Sequence, residues 1–160
     1  MLRKSNFDKV IDFNNAFGLI TNIKPQPDLY KTNPQNVKRD SELINEEVGE
    51  YNVSIVNEDI NESIDALGDI LYVVYGAFSR FGINADEAFD LIHKSNLSKL
   101  CTSEYEAILT VESYKNDPRY DSPKYRLSPD GKYYVVYNES TKKILKSIYY
   151  KPVSFESLNI

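Results

Sequence analysis

Nine carboxylates stand between Ser41 and Gly76, at Glu42, Glu46, Glu47, Glu50, Glu58, Asp59, Glu62, Asp65 and Asp69, and no Lys, Arg or His interrupts them. A helix surface normally intersperses both signs to gain i,i+4 pairs, and a strip of one sign forgoes that gain. Carboxylates crowded at one spot repel and raise one another's pKa values. Divalent cations remove the conflict. Mg²⁺ takes oxygen ligands in octahedral geometry, keeps waters and shares its sphere with substrate phosphates. A carboxylate cage of this kind suits the binding of a nucleoside polyphosphate and the activation of water.

The elements that must position these acids follow from apolar spacing. Leu43, Ile44, Val48, Tyr51 and Ile55 predict a helix from Ser41 to about Val56. Ile60, Ile64, Leu67, Leu71, Val74 and Phe78 predict a second from Asp59 to about Phe81, and Ala88, Phe89, Ile92 and Leu97 a third from Ala85 to about Leu100. On the second helix Glu62, Asp65 and Asp69 fall within about 60° of one another, opposite the apolar stripe. A turn near Asn57 and Glu58 makes the first two an antiparallel hairpin. Matching levels from that turn sets Glu50 beside Asp65, and Glu47 or Glu46 beside Asp69.

Upstream, residues 5–21 read as a short amphipathic helix stopped by Gly18, and Pro25, Pro27 and Pro34 break helicity in the connector after it. Downstream, the β-rich runs "GKYYVVYN" and "KKILKSIYY" read as a hairpin turning through "ESTK", with "YKPVSF" as an extended tail. The fold class expected is all-α. Residues 1–104 form its helical core, and residues 105–160 a β-hairpin and tail appended to the same domain.

Charge and composition narrow the function. The chain carries a net charge of -5 with 41% hydrophobic residues, as a single soluble domain of this size does. No Lys/Arg-rich block offers the positive footprint that a nucleic acid requires. Cys101 is the sole cysteine, so no intrachain disulfide forms and the chain reads as cytoplasmic. The longest apolar run, "ILYVVYGAF", is too short for a membrane span, and the N-terminus has no apolar secretion signal. The ten acids from Asp40 to Asp69 leave fourteen acids against nineteen bases elsewhere, so the charge is sharply partitioned.

The run "EEVGE" followed by "DALGDILYVVYGAFSRFGINADEAFDLIHKSNLSKL" resembles the all-α nucleoside triphosphate pyrophosphohydrolase superfamily, the MazG-like and dUTPase-like enzymes. Their mark is E-E-x-x-E followed by E-x-x-D on the next helix. The chain is especially similar to the phosphoribosyl-ATP pyrophosphohydrolase-like branch, from "DFNNAFGL" through Lys99 and again at the tail "YYKPV". The resemblance implies a MazG-like helical bundle. It places Glu46, Glu47 and Glu50 in the first motif and Asp69 as the last acid of the second. The chain departs from the pattern at Ala66, where the family usually has Glu, which leaves Asp65 or Glu62 to supply the missing ligand. It departs again at Asn14, where relatives often have His.

The resemblance further implies Mg²⁺ as cofactor, with Mn²⁺ able to substitute, and Glu47, Glu50, Glu62, Asp65 and Asp69 as candidate ligands. Glu46 or Glu47 would orient the attacking water. Lys94, Asn96 and Lys99, arriving after the third helix, would donate to phosphate or sugar. Relatives assemble as homodimers or homotetramers, and an apolar stripe on a two-helix hairpin needs a cover. The expected activity is cleavage of a nucleoside triphosphate, dUTP or a related pyrimidine nucleotide by branch resemblance, to the monophosphate and pyrophosphate.

Plainer roles compete at several positions. Asp59 to Glu62 also spells D-x-x-E at a helix start, a capping box in which Glu62 reaches back to the backbone. His93 near a helix end suits the helix dipole, and Phe13 and Phe17 suit a core. At the level of the whole chain the rivals are a non-catalytic helical interaction module and hydrolysis of phosphoribosyl-ATP.

Overall fold

The computed structural model describes residues 4–160, which form six α-helices and one two-stranded antiparallel sheet. The chain is therefore helical with a small β element, as expected. The described residues divide into two compact units, 4–88 with 155–160, and 89–154. No single helix among the described residues is long and apolar enough to cross a membrane.

In the first unit α1 (Asn6–Ala16) opens on a capping box between Ser5 and Asp8 and buries Phe7, Val10 and Asn14, one face at helical spacing. It packs on α4 (Ile60–Phe81), where the Phe7 and Tyr75 rings lie 6.3 Å apart. Asn14, where relatives often have His, donates from Nδ2 to Ser79 Oγ at 3.2 Å. Ser79 is wholly buried, so Asn14 is a packing residue that satisfies a polar group in the core.

The short α2 (Leu29–Thr32) leads into α3 (Pro34–Val56). Pro34 was expected among the residues that break helicity, yet it starts this helix. Asn33 caps the end by accepting from Asn36 N, and a proline in the first turn forfeits only an N–H with no intrahelical partner. Gly82 closes α4 in the left-handed conformation, φ 69°. A Cβ there would lie 1.9 Å from the Lys24 carbonyl oxygen, so glycine is required on both counts.

The hairpin of α3 and α4 makes the most extensive packing between elements, yet it does not cover the apolar stripe of α4. Ile60, Ile64, Leu67 and Leu71 remain 68%, 63%, 45% and 56% exposed, while Ser63, Ala66 and Ile70 turn inward.

The second unit begins within α5 (Ala85–Leu97) and continues through α6 (Glu104–Lys115), β1 (Pro123–Leu127) and β2 (Tyr134–Asn138). Its core gathers Cys101, Ala107, Val111, Val136 and Leu145. β1 pairs with β2 across a turn at Asp130 and Gly131, so the strand after "ESTK" is not the main partner. The expected pairing survives only as one bridge between Tyr137 and Ile144. Asn138 explains the change. Its buried amide donates to Asp121, Ser140 and Thr141, which gathers "ESTK" into a compact loop and ends the ladder.

Candidate active site

Hydrogen bonding fixes the register of the α3–α4 hairpin. Ser54 Oγ lies 2.8 Å from Ser63 Oγ, and Arg80 Nε donates to both oxygens of Asp40 at 3.0 and 2.8 Å. Near the turn the Ser54–Ser63 contact places the pairing about two residues beyond the level expected from the sequence. Glu50 comes level with Leu67, between the heights of Asp65 and Asp69, and Glu47 comes level with Ile70. The reason lies at the turn. Asp59 caps α4 by accepting from Asn61 N and Glu62 N, and Glu58 takes a positive φ, so the connection is wider than a minimal reversal.

Asp40, Ile44, Glu47, Tyr51 and Ser54 recur at three- and four-residue steps, the spacing of a helix seam. Glu47 thus occupies an inward position of the hairpin, only partly exposed. Its Oε2 is buried with no hydrogen-bond partner. Burial pushes its pKa up from the usual carboxylate range, and the nearby charges of Glu50, Asp69, Glu46 and Asp65 push it further. Five of the predicted acids are therefore brought within electrostatic reach of one another. None of the five forms an ion pair or a side-chain hydrogen bond among the described residues.

Counter-charge reaches only the rim of the strip. Arg80 takes Asp40 in a nearly buried pair, and Lys38 reaches Glu42 at 3.4 Å on the exposed surface. Glu62 belongs to the unpaired set as well, because the capping box is incomplete: Asp59 alone caps the helix and the Glu62 carboxylate is left exposed. A cleft of about 650 Å³ runs along this side, lined by Glu46, Gly49, Glu50, Ser54 and Asn57 of the α3 side and by Glu62 of α4. Ala66 is 3% exposed in the helix seam, level with Tyr51, so the position where the family carries Glu is here part of the packing.

The donors on offer are carboxylate oxygens, the ligand type that Mg²⁺ takes. An unpartnered buried carboxylate oxygen sits among four more carboxylates. Among the described residues no group of three or more His, Cys, Asp or Glu side chains is close enough together to hold a metal ion by itself. Mg²⁺ does not demand one, since it is commonly held by one or two carboxylates, waters and substrate phosphates.

Gly49, Ser54 and Asn57 were not singled out as site residues from the sequence. Gly49 carried the available signal. A glycine in a helix interior costs roughly 0.5–1 kcal/mol relative to alanine. No neighbouring atom lies within 4 Å of where its Cβ would be, so close packing does not explain the glycine.

The predicted substrate residues lie in the second unit. Lys99 Nζ donates to Asn96 Oδ1 at 2.6 Å, which joins two of the three. Lys94 is apart from them, exposed in the last turn of α5 and lining a cleft with Ser95, Ser98 and Lys151. His93 is exposed and lies parallel to the Phe89 ring at 6.4 Å. Phe13 packs edge-on against Tyr72 at 5.4 Å yet is 41% exposed, and Phe17 is 69% exposed, so neither lies in a core as expected.

Two comparisons with known proteins bear on these features. The chain is similar to the uncharacterized protein L479 of Acanthamoeba polyphaga mimivirus, 33% identical with 98% of this chain and 96% of the relative covered. The family profile described as phosphoribosyl-ATP pyrophosphohydrolase matches residues 10–96, which contain α3, α4 and every acid of the strip. With the match spanning more than half of its length, the chain belongs to the phosphoribosyl-ATP pyrophosphohydrolase family, within the MazG-like nucleotide pyrophosphohydrolases.

Proposed function

We propose that the chain is a Mg²⁺-dependent nucleoside triphosphate pyrophosphohydrolase, cytoplasmic and homo-oligomeric, that releases pyrophosphate and leaves a nucleoside monophosphate. The observation that carries this reading is Glu47, whose buried, unpartnered oxygen lies among Glu46, Glu50, Asp65 and Asp69. Glu47, Glu50 and Asp69, with Asp65 or Glu62 in place of the glutamate lost at Ala66, would hold Mg²⁺ or Mn²⁺. When bound, the cation supplies Lewis-acid neutralisation of charge on the phosphate oxygens.

The remaining chemistry belongs to the chain. Glu46 or Glu47 accepts a proton from a water whose oxygen attacks phosphorus, and the bond to the pyrophosphate leaving group breaks. Lys94, Asn96 and Lys99 are assigned to the phosphates or sugar.

The exposed stripe of Ile60, Ile64, Leu67 and Leu71 supports self-association, since a row of large apolar side chains on one helix is ordinarily covered by a partner. A second copy offers the same stripe.

A pyrophosphate-release assay over individual deoxynucleoside and nucleoside triphosphates tests the proposal, with dUTP as the favoured substrate. Phosphoribosyl-ATP is included because the family description names it. Release in Mg²⁺ that stops in chelator and returns with Mg²⁺ or Mn²⁺ is expected. Full activity in chelator, or no release from any of these nucleotides, overturns it.

A further inference from the structure

The chain has a second region of one charge, opposite in sign to the first. No acid occurs from Leu91 to Ser103 or from Ser140 to Phe155, and these stretches hold Lys94, Lys99, Lys142, Lys143, Lys146 and Lys151. Residues 91–103 and 140–154 of these stretches belong to the second unit, where they meet. A cleft of about 400 Å³ lies between α5 with its following turn, contributing Lys94, Ser95 and Ser98, and the C-terminal segment, contributing Lys151 and Pro152.

Two serines clamp Lys151 by its backbone. Ser95 Oγ donates to the Lys151 carbonyl at 2.9 Å, and Lys151 N donates to Ser98 Oγ at 2.9 Å. The root of the side chain is thereby held at the cleft. Its ammonium and that of Lys94 have no ion-pair partner among the described residues, although both are exposed and most other lysines of this unit find a nearby carboxylate or ring. Alongside, Lys146 lies over the Tyr150 ring at 4.1 Å. The phenol of Tyr150 is held below its usual range by its hydrogen bond with Ser95, and after that by the charges of Lys146 and Lys99.

A helix C-terminus accounts for Lys94 alone, since cations favour that end of the dipole. It does not account for a second lysine fixed beside it in an acid-free cleft. Two cationic side chains that line one cleft disfavour each other unless an anion joins them, and a chain of phosphates offers several negative charges for them to share.

We propose that this cleft binds the phosphate chain of a nucleotide, with Lys94 and Lys151 as its cationic contacts and Ser95 and Ser98 as positioning residues that hold the C-terminal segment in place. The identification of the anion as a substrate rests on the pyrophosphohydrolase reading. The cleft itself rests only on the geometry of the second unit.

The test is calorimetric titration of the full chain with inorganic tripolyphosphate in chelator at low salt, where the carboxylates of the hairpin can only repel the probe. Lys94→Gln with Lys151→Gln should weaken binding by about tenfold or more, the loss of two charge-assisted contacts. Lys115→Gln, which removes a lysine paired with Glu112, should leave it unchanged. A nucleoside triphosphate should compete with the probe.

Wild-type binding by the double variant, equal losses in the Lys115→Gln control, or failure of the nucleotide to compete would each overturn the inference. Tripolyphosphate binding that depends on the two lysines, in a chain that hydrolyses nothing, would uphold the cleft and sink the enzymatic reading. Hydrolysis with wild-type KM in the double variant would do the reverse.

Discussion

The α3–α4 hairpin and the cleft beside α5 treat like charge in the same way with opposite signs. In the hairpin, Lys38 and Arg80 neutralise the outer acids Glu42 and Asp40, while Glu46, Glu47, Glu50, Asp65 and Asp69 have no ion-pair partner among the described residues. In the cleft, Lys94 and Lys151 pair with no acid among the described residues, although elsewhere in the chain Lys115, Lys132 and Lys142 each find a carboxylate within three residues. Surface pairs of that kind contribute little, about 0–1 kcal/mol, but they are readily formed wherever both signs are at hand. Their absence from two regions of opposite sign is what the two proposals, a cation in the hairpin and a phosphate chain in the cleft, would account for.

The comparison breaks most visibly at the inner acids. Glu50→Gln and Asp69→Asn should each lower turnover by about a thousandfold, roughly 4 kcal/mol of barrier, if these residues hold the cation. Both should leave the fold intact or slightly stabilised, because each removes repulsion from the metal-free hairpin. Initial rates of pyrophosphate release at limiting Mg²⁺, with thermal melts alongside, decide the point. Wild-type rates in either variant would remove that residue from the site.

The rim acids should behave as structure. Arg80→Ala leaves Asp40 buried and unpaired, and breaking a buried pair from one side costs about 3–5 kcal/mol. Urea unfolding should register that loss. Mg²⁺ affinity of the fraction that remains folded should not change, and a parallel fall in affinity would show that Asp40 and Arg80 belong to the site.

A smaller effect separates the two candidates for the ligand missing at Ala66. Asp65 perturbs Glu47, whereas Glu62 shares the open cleft with Glu46 and Glu50. Asp65→Asn should therefore cost about tenfold more in kcat than Glu62→Gln, about 1.4 kcal/mol. The reverse order would assign the role to Glu62. Equal, negligible losses would favour a helical module without turnover.

The smallest effect belongs to the second unit. Hydrogen bonds from Ser140, Asn138 and Ser122 hold the Asp121 pKa down at about 2, against an ordinary 3.8. A carboxyl depressed by folding stabilises the native state above its unfolded pKa, and that contribution fades as pH falls from about 4 to about 2. Asp121→Asn should flatten the fall in thermal midpoint over that window without altering pyrophosphate release at neutral pH. An unchanged pH profile would show that the loop is held by Asn138 without help from Asp121.

Where the local pattern is strong, sequence reading and structure agree. Gly18 and Asp59, read as a stop and a cap, stand at the ends of α1 and α4, and Ser5 and Gly82, not singled out from the sequence, bound the same helices by equally local means. The helix α6 escaped notice because its buried face is half polar. Glu106 and Thr110 lie beside Ala107 and Val111, with Glu106 satisfied by Thr102 and Ser147, and apolar periodicity has little to register there. The β pairing was misplaced because "ESTK" and "SPDGK" both read as turns. The choice between them depends on Asn138, whose partners are remote from it in the chain.

The sequence by itself determined the helical class, the order of the acid motifs and the partition of charge, because these depend on residue type and on spacing within a few turns. Tertiary structure decided the rest. It set the hairpin register through Ser54 with Ser63 and Asp40 with Arg80, turned Glu47 into the seam where an oxygen loses water without gaining a donor, and brought Lys151 to Lys94 across more than fifty residues. Such pairings depend on how whole helices and loops pack, and a register shift of two residues changes which carboxylates meet while leaving every local preference satisfied.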